Sequence, residues 1–228
     1  MELDWQAVDR WIFGEAWTGS KVRDHVNILC EQIGPRWASS EAEKEAVEYI
    51  RGQFVESGLA GAALEEFELD TWAYDRAEAS VGSMQIDLLP YNRCPPCELE
   101  APIVDAGFAT PHALDVVRDK LKGSIAVMYI ALEPFTTPVP ANIRLQQLAD
   151  AGVAAVVAID PKDGRRVEYH NGGDWREPET AEPPCPAVTT SREHGELMRR
   201  WAGEGKKLRL TVATVSYTHL RAHETTNY

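Results

Sequence analysis

The sequence has few cysteines and no long hydrophobic run. Four cysteines among 228 residues (Cys30, Cys94, Cys97 and Cys185) are too few for a disulfide scaffold. No apolar stretch reaches the roughly 20 residues that a membrane-spanning helix needs. Residues 1–17 lack the basic and apolar parts of a secretory signal. We therefore expect a reduced, cytoplasmic protein that has no membrane partner.

Positive charge is also scarce in this chain. Lys and Arg number 23 against 36 Asp and Glu, which gives a formal net charge of −13. This acidic balance argues against nucleic acid and anionic membranes as partners. A hydrophobic content of 44% and a charged content of 26% are typical of a soluble globular protein. The length allows one large domain or two small ones.

The first third of the sequence has helical patterns. Apolar spacing predicts a short amphipathic helix over 9–15 and a helix over 20–33 that begins at a Ser cap and ends at a Gly-Pro pair. Trp5, Trp11 and Trp17 recur every six residues, which is not a helical face. We expect them to cover the core or a partner domain.

A stronger helix follows. Ser40 and Glu43 form a capping box, and Gly58 is the expected stop. Strands are predicted at 63–69 and 77–81. The apolar stripe of this helix consists of Ala46, Val47, Ile50, Phe54 and Val55.

After Gly82 the pattern predicts mostly strands with two helices, so the fold class is a mixture of α and β. One helix covers 141–151, and the other is capped by Thr190 with Glu193 and stopped by Gly203. A long polar loop or hairpin is predicted at 163–186. Strands are predicted at 102–106, 124–131, 153–159 and 207–213.

Three segments in the first part resemble the start of the di-zinc aminopeptidase family. They are the Ile-Gly-Pro-Arg turn at 33–36, the capped helix at 40–58 and the acidic strand that ends at 66–69. The family includes glutamate carboxypeptidase-like proteins, the transferrin receptor ectodomain and bacterial aminopeptidases. The resemblance implies a partial peptidase α/β domain over 1–81.

The following residues, 82–214, resemble the protease-associated domain that many of these peptidases carry as an insertion. The matching features are Gly107, the Lys-Gly strand start at 122–127, the Ala-Gly-Val segment at 149–157 and the closing segments at 184–188 and 193–197. The resemblance implies a β-rich domain with flanking helices. Such a domain shapes substrate access or protein contacts, including oligomer contacts.

The family resemblance also implies two zinc ions and a peptide substrate for the full-length parent protein. A di-zinc hydrolase needs imidazoles, a bridging carboxylate and a general base around one water. Before Val215 the sequence has only His25, His112, His170 and His194, with no His and carboxylate cluster. We therefore assign no catalytic, cofactor-binding or metal-ligating residue, and expect this chain to be inert as a peptidase.

The last segment, 215–228, resembles something other than natural protein sequence. On a helix His219 and His223 would share one face, the beginning of a zinc site. Yet VSYTHLRAHET matches the translated read-through of a transposon-type sequencing-library adaptor. We expect a non-native tail and a natural sequence that continues beyond Thr214.

Other motifs allow competing interpretations. The Cys-x-x-Cys pair Cys94 and Cys97 is expected to form a rigid surface turn, with a structural metal clip including Cys185 or His170, or redox chemistry, as alternatives. Asp160, Asp163 and Asp174 carry oxygen ligands of the kind that a calcium-binding loop uses, but we expect them to lie in a solvated loop that binds no ion.

Isolated polar residues are expected to have structural roles. His112 in a polar loop and His194 on a helix are expected to be surface or capping residues. Arg36 either anchors a carboxylate or packs its stem over the neighbouring helices.

One rival function fits the same sequence, and a second lacks the motif that it needs. A non-catalytic binding or regulatory protein can be built on a protease-associated domain. A small unrelated α/β enzyme would need a phosphate-binding glycine loop, and Gly172-Gly173 is not followed by a helix start.

Overall fold

The computed structural model describes residues 4–172 and 182–227, and for 68–71 and 215–227 it describes the backbone alone. The fold is a mixture of helices and strands, as expected. Within the described residues the helices are α1 (Trp5–Thr18), α2 (Val22–Asn27), α3 (Glu41–Glu56), α4 (Pro111–Leu121), α5 (Ala141–Asp150) and α6 (Arg192–Gly203), with a π-helical segment at Ile28–Ile33. The strands are β1 (Ala62–Val81), β2 (Met84–Ile86), β3 (Leu88–Pro90), β4 (Cys97–Asp105), β5 (Ile125–Tyr129), β6 (Ala155–Ile159), β7 (Ala187–Thr190) and β8 (Lys207–Asn227).

The chain forms two compact units. The first comprises Met1–Thr71 with Thr218–Tyr228, and the second comprises Trp72–Tyr217. The division into a peptidase segment at 1–81 and a protease-associated domain at 82–214 stays a prediction, because compact units do not identify a domain family. No helix in the described part of the chain has the length and apolar character to cross a membrane.

Helix α1 is longer than the predicted segment and has no buried residue. It begins earlier because the Asp4 carboxylate accepts hydrogen bonds from the amides of Gln6 and Ala7. Trp5, Trp11 and Trp17 are 68%, 66% and 91% exposed. The expectation that they cover the core is wrong, and a partner domain as their contact stays a prediction.

The second predicted helix has a different cap and a change of helix type. Its N-cap is Lys21, whose side chain makes no capping bond. The Ser20 hydroxyl accepts a hydrogen bond from the Val22 amide. The α-helical turns continue directly into the π-helical segment. Gly34, with a φ of 79°, ends that segment at the predicted position.

Helix α3 confirms the predicted Ser40 cap and glycine stop, whereas the return bond of the predicted capping box goes to the residue before the cap. The Ser40 hydroxyl accepts from the Glu43 amide at 3.1 Å, and the Glu43 carboxylate accepts from the Ser39 amide at 2.9 Å. Gly58 adopts a φ of 78° immediately after the helix. The predicted stripe is buried in part: Ala46 and Val47 are buried, Ile50 and Phe54 are half-buried, and Val55 is exposed.

The strands form an eight-stranded sheet in the order β2-β1-β8-β4-β5-β6-β7-β3 within the described residues. Strands β4 to β7 are parallel neighbours, whereas β8 pairs with β4 and β3 pairs with β7 in antiparallel fashion. The predicted strands at 63–69 and 77–81 form the single strand β1, and β8 extends beyond the predicted 207–213.

Strands β5 and β6 confirm the two apolar runs as buried strands. Every residue of β6 is buried, and so is every residue of β5 except Tyr129. One face of these strands shares a core with α4 and α5, and the other shares a core with α6. Helices cover both faces, which is why these strands are continuously apolar instead of alternating.

Helix α4 is missing from the sequence prediction, which placed this segment in a polar loop. Thr110 occupies the N-cap position and Pro111 the first turn, where a proline costs no intrahelical hydrogen bond. Leu114 and Leu121 are buried on one face. An apolar residue on the exposed face, Val116, weakens the helical pattern of this segment.

Helix α6 starts and ends at residues other than those predicted. Thr190 is the last residue of β7, and its hydroxyl donates to the Asp87 carbonyl at 2.7 Å. The cap is Ser191, whose hydroxyl accepts from the amide three residues on. The positive φ needed after the helix belongs to Gly205, and Gly203 is still helical.

Candidate functional site

Polar side chains gather at the carboxyl ends of the parallel strands, with Arg144 at the centre. Arg144 lies in the first turns of α5 and is only 1% exposed. Its guanidinium donates to the backbone carbonyls of Phe108, Tyr129, Ala131 and Ile130 at 2.8, 2.9, 3.1 and 2.7 Å. Burial lowers the pKa of this guanidinium. Arg144 therefore joins the segments that follow β4 and β5.

A second polar network surrounds Tyr129 on the α6 side. Arg199 donates through Nε to Asp105 at 2.9 Å and through Nη1 to the Tyr129 hydroxyl, which in turn donates to Glu196. The Arg199 guanidinium also lies 4.8 Å from the centre of the Tyr129 ring. Burial, with the Glu196 carboxylate, raises the pKa of Tyr129. The phenol therefore stays protonated, and its two partners fix the ring in place.

Sequence reasoning missed Arg144 and Tyr129. The available signal for Arg144 was its place beside Leu145 and Leu148 on the apolar face of the predicted helix over 141–151. An arginine on a buried helical face needs several acceptors, and backbone carbonyls beyond strand ends supply them. Nothing in the sequence indicates which strand ends these are.

The Cys-x-x-Cys segment differs from the predicted surface turn because its thiols face inward. Cys94 is 1% exposed and Cys185 is 8% exposed, while Cys97 is half-buried at the start of β4. All are free thiols. Burial raises the pKa of Cys94 to about 12 and that of Cys185 to about 11. Groups with such pKa values are poor nucleophiles at neutral pH, which is unfavourable for redox chemistry.

We expect the cysteines to differ sharply in alkylation. Iodoacetamide at pH 8 should modify the exposed Cys30 first. A rise in the pKa of Cys94 from 9.0 to about 12 reduces its thiolate fraction roughly 1000-fold, in addition to the effect of burial. Mass spectrometry of time points measures the rates, and urea-unfolded protein, in which all four should react, is the control. Equal rates for Cys30 and Cys94 in the folded protein would contradict the buried placement.

The aspartates considered for calcium have separate local roles. Asp160 has no exposed surface, and one of its carboxylate oxygens accepts from the Lys162 amide at 2.9 Å. The expected solvated loop is therefore wrong for this residue. Asp163 accepts from Arg192 at 2.9 Å. Asp174 lies outside the described residues.

The histidines likewise have local partners. His194 accepts through Nδ1 from the Asp87 amide at 3.1 Å. His25 Nδ1 lies 2.6 Å from the Tyr49 hydroxyl in the first unit. His112 is exposed, as expected, but it lies on α4 and not in a loop.

The remaining candidates from the sequence are Arg36 and the two histidines of the last segment. Arg36 donates to the backbone carbonyls of Leu29 and Gly34, so it neither anchors a carboxylate nor packs only through its stem. It satisfies carbonyls at the end of the π-helical segment. The side chains of His219 and His223 lie outside the described residues.

The fold is similar to that of zinc aminopeptidases. BSAP, a zinc aminopeptidase from Bacillus subtilis, matches with a TM-score of 0.65 and 20% identity over 88% of this chain and 44% of its own. A peptidase M28 precursor from Shewanella amazonensis SB2B matches with a TM-score of 0.71 and 20% identity over 96% of this chain and 52% of its own. An aminopeptidase from Aneurinibacillus sp. strain AM-1 matches with a TM-score of 0.55 and 21% identity over 88% of this chain and 45% of its own.

These matches make the fold aminopeptidase-like, and the chain spans about half the length of the proteins it resembles. At this low identity they establish the fold alone. No protein-family model and no curated protein sequence matches the chain.

The zinc ions implied by the resemblance can be tested against the residues present. A zinc site needs at least three clustered ligands such as His, Cys, Asp or Glu. Among the side chains that the structure describes, no such group of three occurs. These residues do not fit a zinc site, and no hydrolytic step is assigned to them.

Proposed function

We propose that this chain is the N-terminal part of a zinc-dependent aminopeptidase-like metallopeptidase. The observation that carries the proposal is the fold likeness, which includes 88–96% of this chain but only 44–52% of the three relatives. The ordered motifs at 33–36, 40–58 and 66–69 support the same assignment.

Within this proposal, residues 82–214 form a protease-associated domain that shapes substrate access or makes protein contacts. The two buried cores on either face of β5 and β6, together with the Arg144 hydrogen bonds, give this part a fixed frame. The parent reaction is removal of a terminal residue from a peptide. Zinc-activated water supplies the chemistry, and its ligands are expected beyond Thr214.

The test combines the genomic sequence beyond the codon for Thr214 with an activity comparison. We expect the frame to continue into His, Asp and Glu ligand motifs and to omit the 215–228 sequence. The completed chain should hydrolyse aminoacyl-anilides with zinc and lose this activity with a chelator, whereas the 228-residue chain should be inert.

Each component has an outcome that would overturn it. Zinc-dependent hydrolysis by the 228-residue chain, after metal-affinity controls, would contradict the assignment of the ligands to a later segment. A stop codon near Thr214 would replace the peptidase with a non-catalytic binding module. A genomic frame that encodes 215–228 would show that the tail is native.

A further inference from the structure

Six side chains of the second unit each have one buried atom without a hydrogen-bond partner in the described part of the chain. Two of these atoms, Arg144 Nε and Gln147 Oε1, belong to α5. The other four are Thr189 Oγ1, Asp160 Oδ2, Tyr91 Oη and His170 Nε2. Thr189 and Asp160 have no exposed surface, Tyr91 is 3% exposed, and the side chain of His170 is 25% exposed. Leaving such groups unsatisfied is costly, so native proteins pair nearly all of them with protein or with ordered water.

The backbone places the first two of these side chains on one face of the sheet. Thr189 is the register partner of Ala158, which belongs to the core on the α5 side. Asp160 follows Ala158 by two residues, and its amide continues the ladder by donating to the Thr190 carbonyl at 2.9 Å. Side chains two residues apart on a strand share a face, so Asp160 and Thr189 both lie on the face that shares a core with α4 and α5.

The other two side chains are adjacent to this face. The Tyr91 amide donates to the Ala187 carbonyl at 2.9 Å, two residues before Thr189 on β7, and Tyr91 belongs to the same core. The ring of His170 lies 5.8 Å from the ring of Tyr91. The four side chains thus lie on or beside one face of the sheet, and we term them the polar quartet.

The chemistry of the polar quartet defines its ligand. Asp160 offers a carboxylate acceptor, while the hydroxyls of Tyr91 and Thr189 both donate and accept. Burial raises the pKa of Tyr91 and lowers that of His170, which keeps the phenol protonated and the imidazole neutral. Because Asp160 and Thr189 have no exposed surface, the ligand must be small. Water is small and makes two to four hydrogen bonds of either sense.

We propose that ordered water binds the polar quartet and bridges Asp160 and His170 to Tyr91 and Thr189. Asp160 directly follows β6, and His170 lies ten positions later in the segment that leads to β7. The bridging water thus holds two points of this segment against the sheet.

The chain offers a matched pair of variants for the test. Thr189 and Thr190 are neighbours with no exposed surface, but the Thr190 hydroxyl donates to a protein carbonyl and the Thr189 hydroxyl has no described partner. Removal of a hydrogen-bonded hydroxyl should raise the equilibrium constant for local opening of β6 and β7, here called the opening equilibrium, about fivefold. Removal of an unsatisfied hydroxyl should leave it unchanged or lower it.

We expect Thr189→Val and Thr190→Val to raise the opening equilibrium by similar factors. Amide hydrogen exchange of β6 and β7 in the 228-residue protein measures it. Tyr91→Phe should also raise it, and the Tyr91→Phe/Thr189→Val double variant should fall short of the product of the single effects because the variants share water.

Either of two results would overturn the proposal. One is that β6 and β7 of the Thr189→Val protein exchange their amide hydrogens no faster than those of the parent, while exchange is faster in Thr190→Val. The other is strictly multiplicative effects of Tyr91→Phe and Thr189→Val. The comparison between the two threonines does not depend on the Tyr91 variant, so it decides the matter even if that variant folds poorly.

Discussion

Replacement of Arg144 by Met is expected to lower the free energy of unfolding of the second unit by about 3–5 kcal/mol. Methionine retains an unbranched stem but removes the donors that four backbone carbonyls share. These acceptors follow β4 and β5 in a region where Arg144 is 1% exposed. A hydrogen bond to a charged group contributes about 1.5–3 kcal/mol, and the four contributions are not additive.

Chemical denaturation, with amide exchange of β5 and β6 as the local readout, measures this loss. Arg144→Lys separates charge from geometry, because an ammonium group lacks the planar set of donors that reaches four carbonyls. We expect it to lose nearly as much stability as Arg144→Met. Arg118, 69% exposed and paired with Asp115, is the control, and Arg118→Met should change stability by about 0.5 kcal/mol or less. Equal stability of Arg144→Met and Arg118→Met would refute the role assigned to Arg144.

Substitution of Gly195 by Ala is expected to lower the free energy of unfolding by about 1–3 kcal/mol. Gly195 lies in α6, and a Cβ atom there would be 2.5–2.8 Å from three side-chain carbons of the fully buried Ile159 on β6. The gain in helix propensity, roughly 0.5–1 kcal/mol, acts in the opposite direction. Steric overlap should exceed this gain because Ile159 is fully buried in a close-packed core and has little room to move.

Gly203 in the same helix provides the control. Apart from its chain neighbours and the backbone of α6, no atom of a described residue lies within 4 Å of a Cβ placed there, so Gly203→Ala should be neutral or slightly stabilising in thermal unfolding. Ile159→Ala removes the three carbons in question. Its combination with Gly195→Ala should therefore be more stable than the sum of the single changes predicts. If Gly195→Ala matches Gly203→Ala, α6 does not approach β6 as closely as described.

The parts of the fold that sequence predicts well are those where one local signal is strong. Helix α3 has both a serine cap and a glycine stop, and β5 and β6 are unbroken apolar runs between turn signals. Prediction fails where two neighbouring residues offer the same chemistry. Thr190 and Ser191 both carry hydroxyls, and only the end of β7 decides which of them caps α6.

Short and polar elements escape prediction for a different reason. Strands β2 and β3 have three residues each, too few for a period to be visible, and they exist through pairing with β1 and β7. The polar quartet and the Arg144 site depend on contacts between segments distant in sequence. Burial of Asp160 and Arg144 is set by the sheet and its helices, which no local pattern specifies.

The antiparallel pairing of β4 with β8 has a consequence for synthesis of the chain. Cys97 pairs with Val212 and Pro102 with Lys207, so β4, the first strand of the parallel set, has no partner on this edge until β8, the last strand of the chain, has been made. Closure over so long a loop slows folding. During translation, β4 keeps an open edge until β8 has left the ribosome, and an open edge attracts other strands. We therefore expect the nascent chain to be open to intermolecular pairing at the edge of β4 during the interval between these two strands.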